Sequence, residues 1–475
     1  MPDTHTTIAP SAAFLAAAKD LLGSSGWSED AGRIAPKVAD WRGRFTGHTP
    51  FLALPTSTDE VAALVKLCSD HFVPLTPQGG NTGLVDGGLP HGEILLSLSR
   101  MDQIRDIDGF NNSMVAEAGT ILSNVQSAAD RAERFFPLSL GSQGQATIGG
   151  LISTNAGGVA VLRYGMMRDL ILGLEVVTAD GRVWNGLTGL RKNNTGYDLK
   201  HLFAGAEGTL GVITAANLKL FPQTKQVTAW AVLDHPQQAV ELLANLRAAA
   251  GDTVTSFELI PANAVQMVVE DEATISDPLP SEKPWRVLIE LSLSDEAQGR
   301  ELMETVLAVE IEAGRLADVI IAQSLAQSKA FWTIRETIPL SKRAFGAVIA
   351  HDISVPVSAI PRFLDTMADD LKSVAPGSDI VAFGHLGDGN LHYSVCAPAD
   401  GGMETLLARK AEVTRAVHDR VMAMGGSISA EHGIGLEKRD EIACRKSGVE
   451  MDMMRAVKRA LDPQNIMNPG RVVAV

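Results

Sequence analysis

The residues of this chain best suited to chemistry are three histidines and a glutamate in two glycine-flanked segments, GHLGDGNLHYSV at 384–395 and SISAEHGIGLEKR at 427–439. Asp-Gly is the strongest short-range hairpin signal. Asp388-Gly389 is therefore expected at the centre of a type I′ turn that pairs Gly387 with Asn390, Leu386 with Leu391 and His385 with His392. Directly opposed residues share a sheet face with Cβ atoms about 5 Å apart, within reach of one metal ion, and Glu431 is available as a third ligand. Two imidazoles and one carboxylate leave a divalent cation with residual positive charge and an open position. That suits an anionic, oxygen-bearing substrate. His432 follows Glu431, and in an extended segment adjacent side chains point to opposite faces, so His432 is expected to act as a base rather than a ligand.

Ahead of these segments lies the chain that must position them. Residues 1–44 read as an N-terminal helical segment in which AAFLAAAKDLL is the first amphipathic helix. FLALPTS is the first clear strand, Thr58 to Asp70 has a cap and helical spacing, and Val73 to Thr76 follows as a strand. Glycine then dominates as far as Gly211 among apolar runs such as EILLSL, LGLEVVTADGRVW and LGVITAANLKLF, which makes 45–223 one α+β domain. Across 224–425 glycine thins, and the strand-like TAWAVLD and WRVLIELS flank helical stretches, a second α+β domain. The remaining segment, 426–475, holds a helical run, MMRAVKRALDP, and the valines of QNIMNPGRVV, which suit a tail strand. Tyr197 and Trp332 read as core packing, the usual role of large aromatics.

The first domain carries its own ligand signal. PLTPQGGNTGLVDGG, from Pro74 to Gly88, follows a strand, and its glycines permit positive φ and close approach of backbone N–H groups to an anion. No Gly-Lys-Ser/Thr follows and no GxGxxG is present in it, so neither a Walker loop nor a nicotinamide fingerprint is indicated. LGSQGQATIGGLISTNAGG, RYG, KNNTGYDL and GAEGTLGVIT come later in the same domain. Several such segments together imply a long ligand lying against backbone over much of its length.

Composition narrows the function classes. At 475 residues the chain exceeds what one hydrophobic core organises. Its formal net charge of −15 disfavours a phosphate-backbone partner, so nucleic acid is excluded as an expectation. Cys68, Cys396 and Cys444 are far apart with no CxxC spacing, which reads as a reduced, cytoplasmic protein, and no targeting pattern or membrane-length apolar run stands out.

PQGGNTGLVDGG, GAEGTLGVIT, GHLGDGNLH and AEHGIG in this order resemble the flavin-binding dehydrogenases of the vanillyl-alcohol-oxidase type, in the branch of D-2-hydroxyglutarate dehydrogenase, D-lactate dehydrogenase and the glycolate oxidase flavin subunit. The resemblance implies an α+β fold: a two-subdomain FAD-binding domain, an α+β substrate domain and a C-terminal segment returning to the flavin. It implies FAD, with Pro77, Gly79, Gly80, Asn81, Thr82, Gly83 and Leu84 around the pyrophosphate. Gly141, Ser142, Thr147, Gly150, Asn155, Glu207, Gly208 and Ile213 would line the cofactor, and Asn468 would approach it or serve a turn. Some relatives link flavin to a histidine in the first loop; Asn81 follows Gly79-Gly80 here, so the FAD is expected to be non-covalent.

The same resemblance implies that His385, His392 and Glu431 bind a metal, usually zinc, that His432 is the base, and that Asn390 contacts substrate or a ligand. The reaction implied is oxidation of a D-2-hydroxy acid to its 2-oxo acid. With no nicotinamide motif in the chain, an electron-transfer flavoprotein, quinone or cytochrome is expected as acceptor rather than NAD, and a homodimer is compatible with the sequence. Arg335 resembles the arginine that pairs with a substrate carboxylate. Members associated with D-2-hydroxyglutarate carry a threonine and a lysine where this chain has Pro339 and Ala350. His351, Lys342 and Arg343 are the nearby replacements, and D-lactate or another D-2-hydroxy acid stays open as the substrate.

Overall fold

The computed structural model describes residues 9–342, 346–398 and 402–475, so Arg343 lies outside the described residues. It divides into two units: Met1–Gly158 with Gly165–Gln223 and Glu431–Val475, and Val159–Tyr164 with Thr224–Ala430.

In the first unit, β1 (Trp27–Ser28), β2 (Leu52–Ala53), β3 (Leu75–Gln78) and β4 (Ile94–Ser97) form a sheet of order β1-β2-β4-β3, parallel except for β1. The antiparallel sheet β5-β6-β10-β8-β9 uses β5 (Ile104–Asp108), β6 (Ser113–Glu117), β8 (Ile171–Val177), β9 (Val183–Gly186) and β10 (Val212–Lys219). A ribbon pairs β7 (Arg134–Phe135) with β11 (Phe221–Pro222). The expected helix after Thr58 runs Thr58–His71; Ser57 caps it by accepting from the Glu60 amide, and Phe72 ends it in the left-handed conformation.

The second unit is one antiparallel seven-stranded sheet, β15-β12-β14-β13-β17-β18-β16. Its strands are β12 (Lys225–Leu233), β13 (Val254–Pro261), β14 (Trp285–Leu293), β15 (Asp318–Ile321), β16 (Val348–Ser354), β17 (Asp379–His385) and β18 (Asn390–Cys396). Alternation puts Thr228, Trp230, Leu288, Glu290, Glu258, Phe383, His385, His392 and Asp352 on one face, as the register Thr228↔Glu290, Glu258↔His385 and Asp352↔His392 requires.

The helix Leu325–Ser341 lies across that face. Ser328 meets Thr228 on β12 at 2.7 Å, the Trp332 indole donates to Glu290 on β14 at 3.0 Å, and Arg335 donates to Glu258 on β13 at 2.6 Å. Just past the helix, Lys342 donates to Ser394 on β18 at 2.8 Å. Phe331, Ile334 and Ile338 fill the spaces between these rungs, packing with Trp230, Leu288, Val381 and Phe383. Trp332 packs as expected, whereas Tyr197 is 95 % exposed, which corrects its core reading.

The tail strand does not form. Beyond the helix Gly448–Leu461 the chain makes one isolated bridge, Leu75↔Met467, and is held by side chains instead. Arg471 reaches Glu93 and the Leu89 carbonyl, and Lys458 reaches the carbonyls of Thr209 and Met467. Pro469, without an N–H, and Val472, at φ 62°, break the extended run that a strand needs. Among the described residues no helix is long and apolar enough to cross a membrane.

Burial pushes the Glu290 carboxyl up to about 7 from 4.5, although the Trp332 indole opposes the shift. A carboxyl raised on folding favours the native state most below its unfolded value, and that contribution is lost as pH rises through the folded value. Glu290→Gln should therefore match the parent near pH 4 and exceed its stability by up to about 3 kcal/mol at pH 8, read from urea unfolding at both pH values.

Candidate functional site

His385 closes β17 and His392 sits in β18, but they are not directly opposed. The observed register pairs Phe383 with His392, two residues away from the expected pairing. The cause is the turn. Residues Leu386–Asp388 form a 3-10 turn whose Gly389 amide returns to the carbonyls of His385 and Leu386, so the connection is longer than a two-residue type I′ turn. A shift of two residues preserves the face where a shift of one would reverse it. Both imidazoles consequently remain neighbours, with ring centroids 5.5 Å apart and ligand nitrogens within 4.8 Å.

Glu258 organises this corner. It is wholly buried, and its carboxylate accepts from His385 Nδ1 at 2.6 Å and from Arg335 Nε at 2.6 Å. Burial alone would raise its carboxyl, but the charges and hydrogen bonds of His385 and Arg335 outweigh it and hold the group at about 2. With Nδ1 committed as donor, the lone pair of a neutral His385 is on Nε2, the tautomer a metal ligand needs. Glu258 escaped the sequence reading. The signal was a lone acid within the apolar strand SFELIP, which must have cationic partners to be buried.

Arg335 uses Nε for this bond, and its guanidinium carbon lies 4.7 Å from the Phe383 ring centroid. Asn390 is buried and donates from Nδ2 to Asp352 and to the Ile353 carbonyl, both at 2.9 Å, while its Oδ1 has no hydrogen-bond partner. Asp352 sits 3.8 Å from His392 Nδ1. His351 does not join this group. One position from Asp352, it faces the opposite side of the sheet, where Nδ1 donates to the Tyr393 carbonyl at 3.1 Å and the ring packs edge-on against His418. That corrects its reading as a substrate contact.

Glu431 and His432 belong to the first unit. They occupy bends rather than a strand, so alternation does not separate them, and their ligand atoms lie within 4.8 Å of one another. The glycines after them wrap a buried carboxylate: Glu207 accepts from the amides of Ile434 at 2.7 Å and Gly435 at 2.9 Å. Burial raises the Glu207 carboxyl, and these amides work against the shift. Glu207 is therefore a tie between loops through its side chain.

The other glycine segments lie in the first unit too, apart from Arg163 and Tyr164 of RYG, which belong to the second. A Cβ on Gly79 would meet Thr147 Oγ1 at 2.1 Å and one on Gly80 the Gln145 carbonyl at 2.0 Å, so this backbone runs hard against 145–147. Gly83 and Gly141 border open space. Thr147 Oγ1 is buried without a partner and does not cap the helix Ile148–Thr154 that it precedes. Asn468 donates to the carbonyls of Gly87 and Glu207 at 2.9 and 2.7 Å, leaving its buried Oδ1 without a partner. Asn81 donates to Ala39 and Asn155 accepts from the Arg168 amide, both at 2.8 Å, so these two side chains hold loops in place. Open backbone beside orphaned buried oxygens fits an extended polar cofactor such as FAD.

Residues 49–186 match the model of an FAD binding domain, and residues 222–472 match that of the C-terminal domain of FAD linked oxidases. A probable mitochondrial D-2-hydroxyglutarate dehydrogenase of Oryza sativa subsp. indica is 38% identical over 96% of this chain and 80% of its own length. The mitochondrial D-2-hydroxyglutarate dehydrogenase of Arabidopsis thaliana is 36% identical over the same shares, and the D-2-hydroxyglutarate dehydrogenase of Xanthomonas citri pv. viticola is 35% identical over 91% of each chain. Among solved structures, p-cresol methylhydroxylase with substrate bound superposes with a TM-score of 0.77 at 18% identity, covering 98% of both chains, and alkyldihydroxyacetonephosphate synthase with 0.72 at 18% identity, covering 97% of this chain and 86% of that one. The cytoplasmic reading is overturned, because the rice and Arabidopsis relatives are mitochondrial by name.

Gly389 has φ 89°, and a Cβ there would lie 2.2 Å from the Val355 carbonyl oxygen. Gly389→Ala should cost about 2–4 kcal/mol, measured by urea unfolding followed by far-UV circular dichroism.

Proposed function

Because the chain belongs to the family of FAD-linked oxidases, we propose that it is an FAD-dependent dehydrogenase that oxidises D-2-hydroxyglutarate to the 2-oxo acid. The observation that carries this reading is the shared name of relatives from plants, animals and bacteria, each aligned over 90% or more of this chain. The histidine pair buttressed by Glu258 supports it, as the kind of corner a polar hydroxy acid needs. A second reading, D-lactate dehydrogenase or the flavin subunit of a glycolate-oxidising complex, draws on Pro339 and Ala350, which replace a threonine and a lysine expected for the longer acid.

On this reading His385, His392 and Glu431 hold a divalent cation, zinc by resemblance. Support for Glu431 comes from Ala430, the residue before it, whose amide donates to the Asp352 carbonyl at 3.3 Å beside His392. A divalent cation in such a set supplies a Lewis acid that eases loss of a hydroxyl proton. FAD, held non-covalently by the glycine segments, supplies the acceptor for the hydrogen and two electrons leaving C2.

The chain's own groups do the rest. The His432 imidazole accepts the C2 hydroxyl proton as general base. Arg335 pairs with a substrate carboxylate through its terminal nitrogens while Nε stays with Glu258. Glu258 keeps His385 in one tautomer and ring orientation. Asn390 steadies Asp352 through Nδ2 and presents Oδ1 to the substrate or its first contacts.

Anaerobic bleaching of the purified protein's flavin by D-2-hydroxyglutarate, D-lactate, D-malate and glycolate tests the reaction. Rapid bleaching by D-2-hydroxyglutarate and not its L-enantiomer, lost on chelation and restored by zinc, is the expected result. No bleaching by any of these acids with FAD and metal present would sink the reading. His432→Asn should lower kcat by about 10²- to 10⁴-fold with flavin and metal content retained. Glu258→Gln should weaken metal binding by about 10- to 100-fold, read by titration against a competing chelator.

A further inference from the structure

The aromatic floor beside the histidines is shared by two cations. Phe383 is the direct cross-strand neighbour of His392. The Arg335 guanidinium carbon lies 4.7 Å from its ring centroid and the Lys342 ammonium 5.1 Å from it. Residues seven apart in helical backbone fall on one side, two turns along, and Lys342, one residue past the helix that carries Arg335, keeps helical dihedrals, so both cations come to the same sheet face. Lys342 also donates to Ser394, the next residue after His392 on that face. Across the strand pair from Ser394 is Ala350, which is exposed, so packing does not cover the face there.

Among the three cations near enough in sequence to stand in for the lysine absent at position 350, His351 turns to the other face and Arg343 lies outside the described residues. Lys342 reaches the row of Ala350 from the helix side.

We propose that Lys342 is a substrate-binding residue that joins Arg335 in holding the second carboxylate of a dicarboxylic 2-hydroxy acid, with the Phe383 ring as the floor between them. The assignment rests on the dehydrogenase reading above and adds to it the residue that selects a dicarboxylate over a monocarboxylate. One carboxylate and the hydroxyl of the substrate belong to the histidine corner, and the distal carboxylate belongs to the Arg335–Lys342 pincer. A fixed guanidinium supplies direction while an ammonium supplies a compact point charge. A monocarboxylate of the same reacting centre leaves the pincer without its anion and forfeits that attraction.

The test compares D-2-hydroxyglutarate with D-lactate on the FAD-loaded protein, for the parent, Lys342→Met, Lys342→Arg and the double variant Lys342→Met/Ala350→Lys. Lys342→Met should lower the ratio of kcat/KM for the dicarboxylate over the monocarboxylate by about 10- to 100-fold, chiefly through KM. Lys342→Arg and the double variant should recover most of it, the latter because position 350 shares the Ser394 row. Calorimetric titration with glutarate and butyrate, which lack the hydroxyl, gives a second readout independent of turnover. Lys342→Met should remove the preference for glutarate. Equal losses for both acids, or none, would overturn the assignment. If the parent oxidises no D-2-hydroxy acid, the dehydrogenase reading falls; a glutarate preference lost in Lys342→Met would then still uphold the pincer, and its absence would remove that too.

Discussion

A carboxylate with no solvent exposure sits at the centre of the second unit, and the arrangement around it follows from the need to satisfy it. Glu258 divides its two oxygens between His385 and Arg335. Leaving a buried charge without partners is far more expensive than the net gain from pairing it, so strand β13, the end of β17 and the sheet-crossing helix are constrained together by one residue. The same carboxylate fixes the His385 ring and anchors Arg335 by Nε.

The helix Leu325–Ser341 extends that logic across the sheet. Its polar rungs fall on successive strands and its apolar residues fill the gaps, so the helix is seated at several points rather than by one contact. Two of those rungs end in buried carboxylates that burial treats differently. Glu258 faces two cationic partners and stays ionised far below the usual range, whereas Glu290 has only an indole N–H against desolvation and is raised to about 7. Environment, not residue type, separates them.

In the first unit the equivalent work is done by side chains that bind loops through main-chain groups. Glu207 takes the amides of Ile434 and Gly435, Asn468 gives to the carbonyls of Gly87 and Glu207, and Lys458 gives to those of Thr209 and Met467. The C-terminal segment is thereby sewn into the glycine loops without a strand. Gly433 and Gly435 are glycines because a Cβ would collide with Glu207 at the first and with the Val85 carbonyl at the second.

The sequence alone determined the α+β class and the placing of His385 and His392 on one face, because those depend on short-range pattern: alternation, helical spacing and glycine at special backbone positions; FAD followed from the resemblance of whole motifs, not from any such period. Even a wrong turn type left the histidines together, since the register moved by an even number of residues. What the tertiary structure decided is everything that rests on contacts between distant residues. It placed Glu258 beside His385, 127 residues away in the chain, turned His351 to the far side of the sheet, spent Glu207 on backbone amides and set Lys342 over Phe383. No local period encodes such pairings. They exist because buried charges and polar groups must find partners wherever the fold brings them.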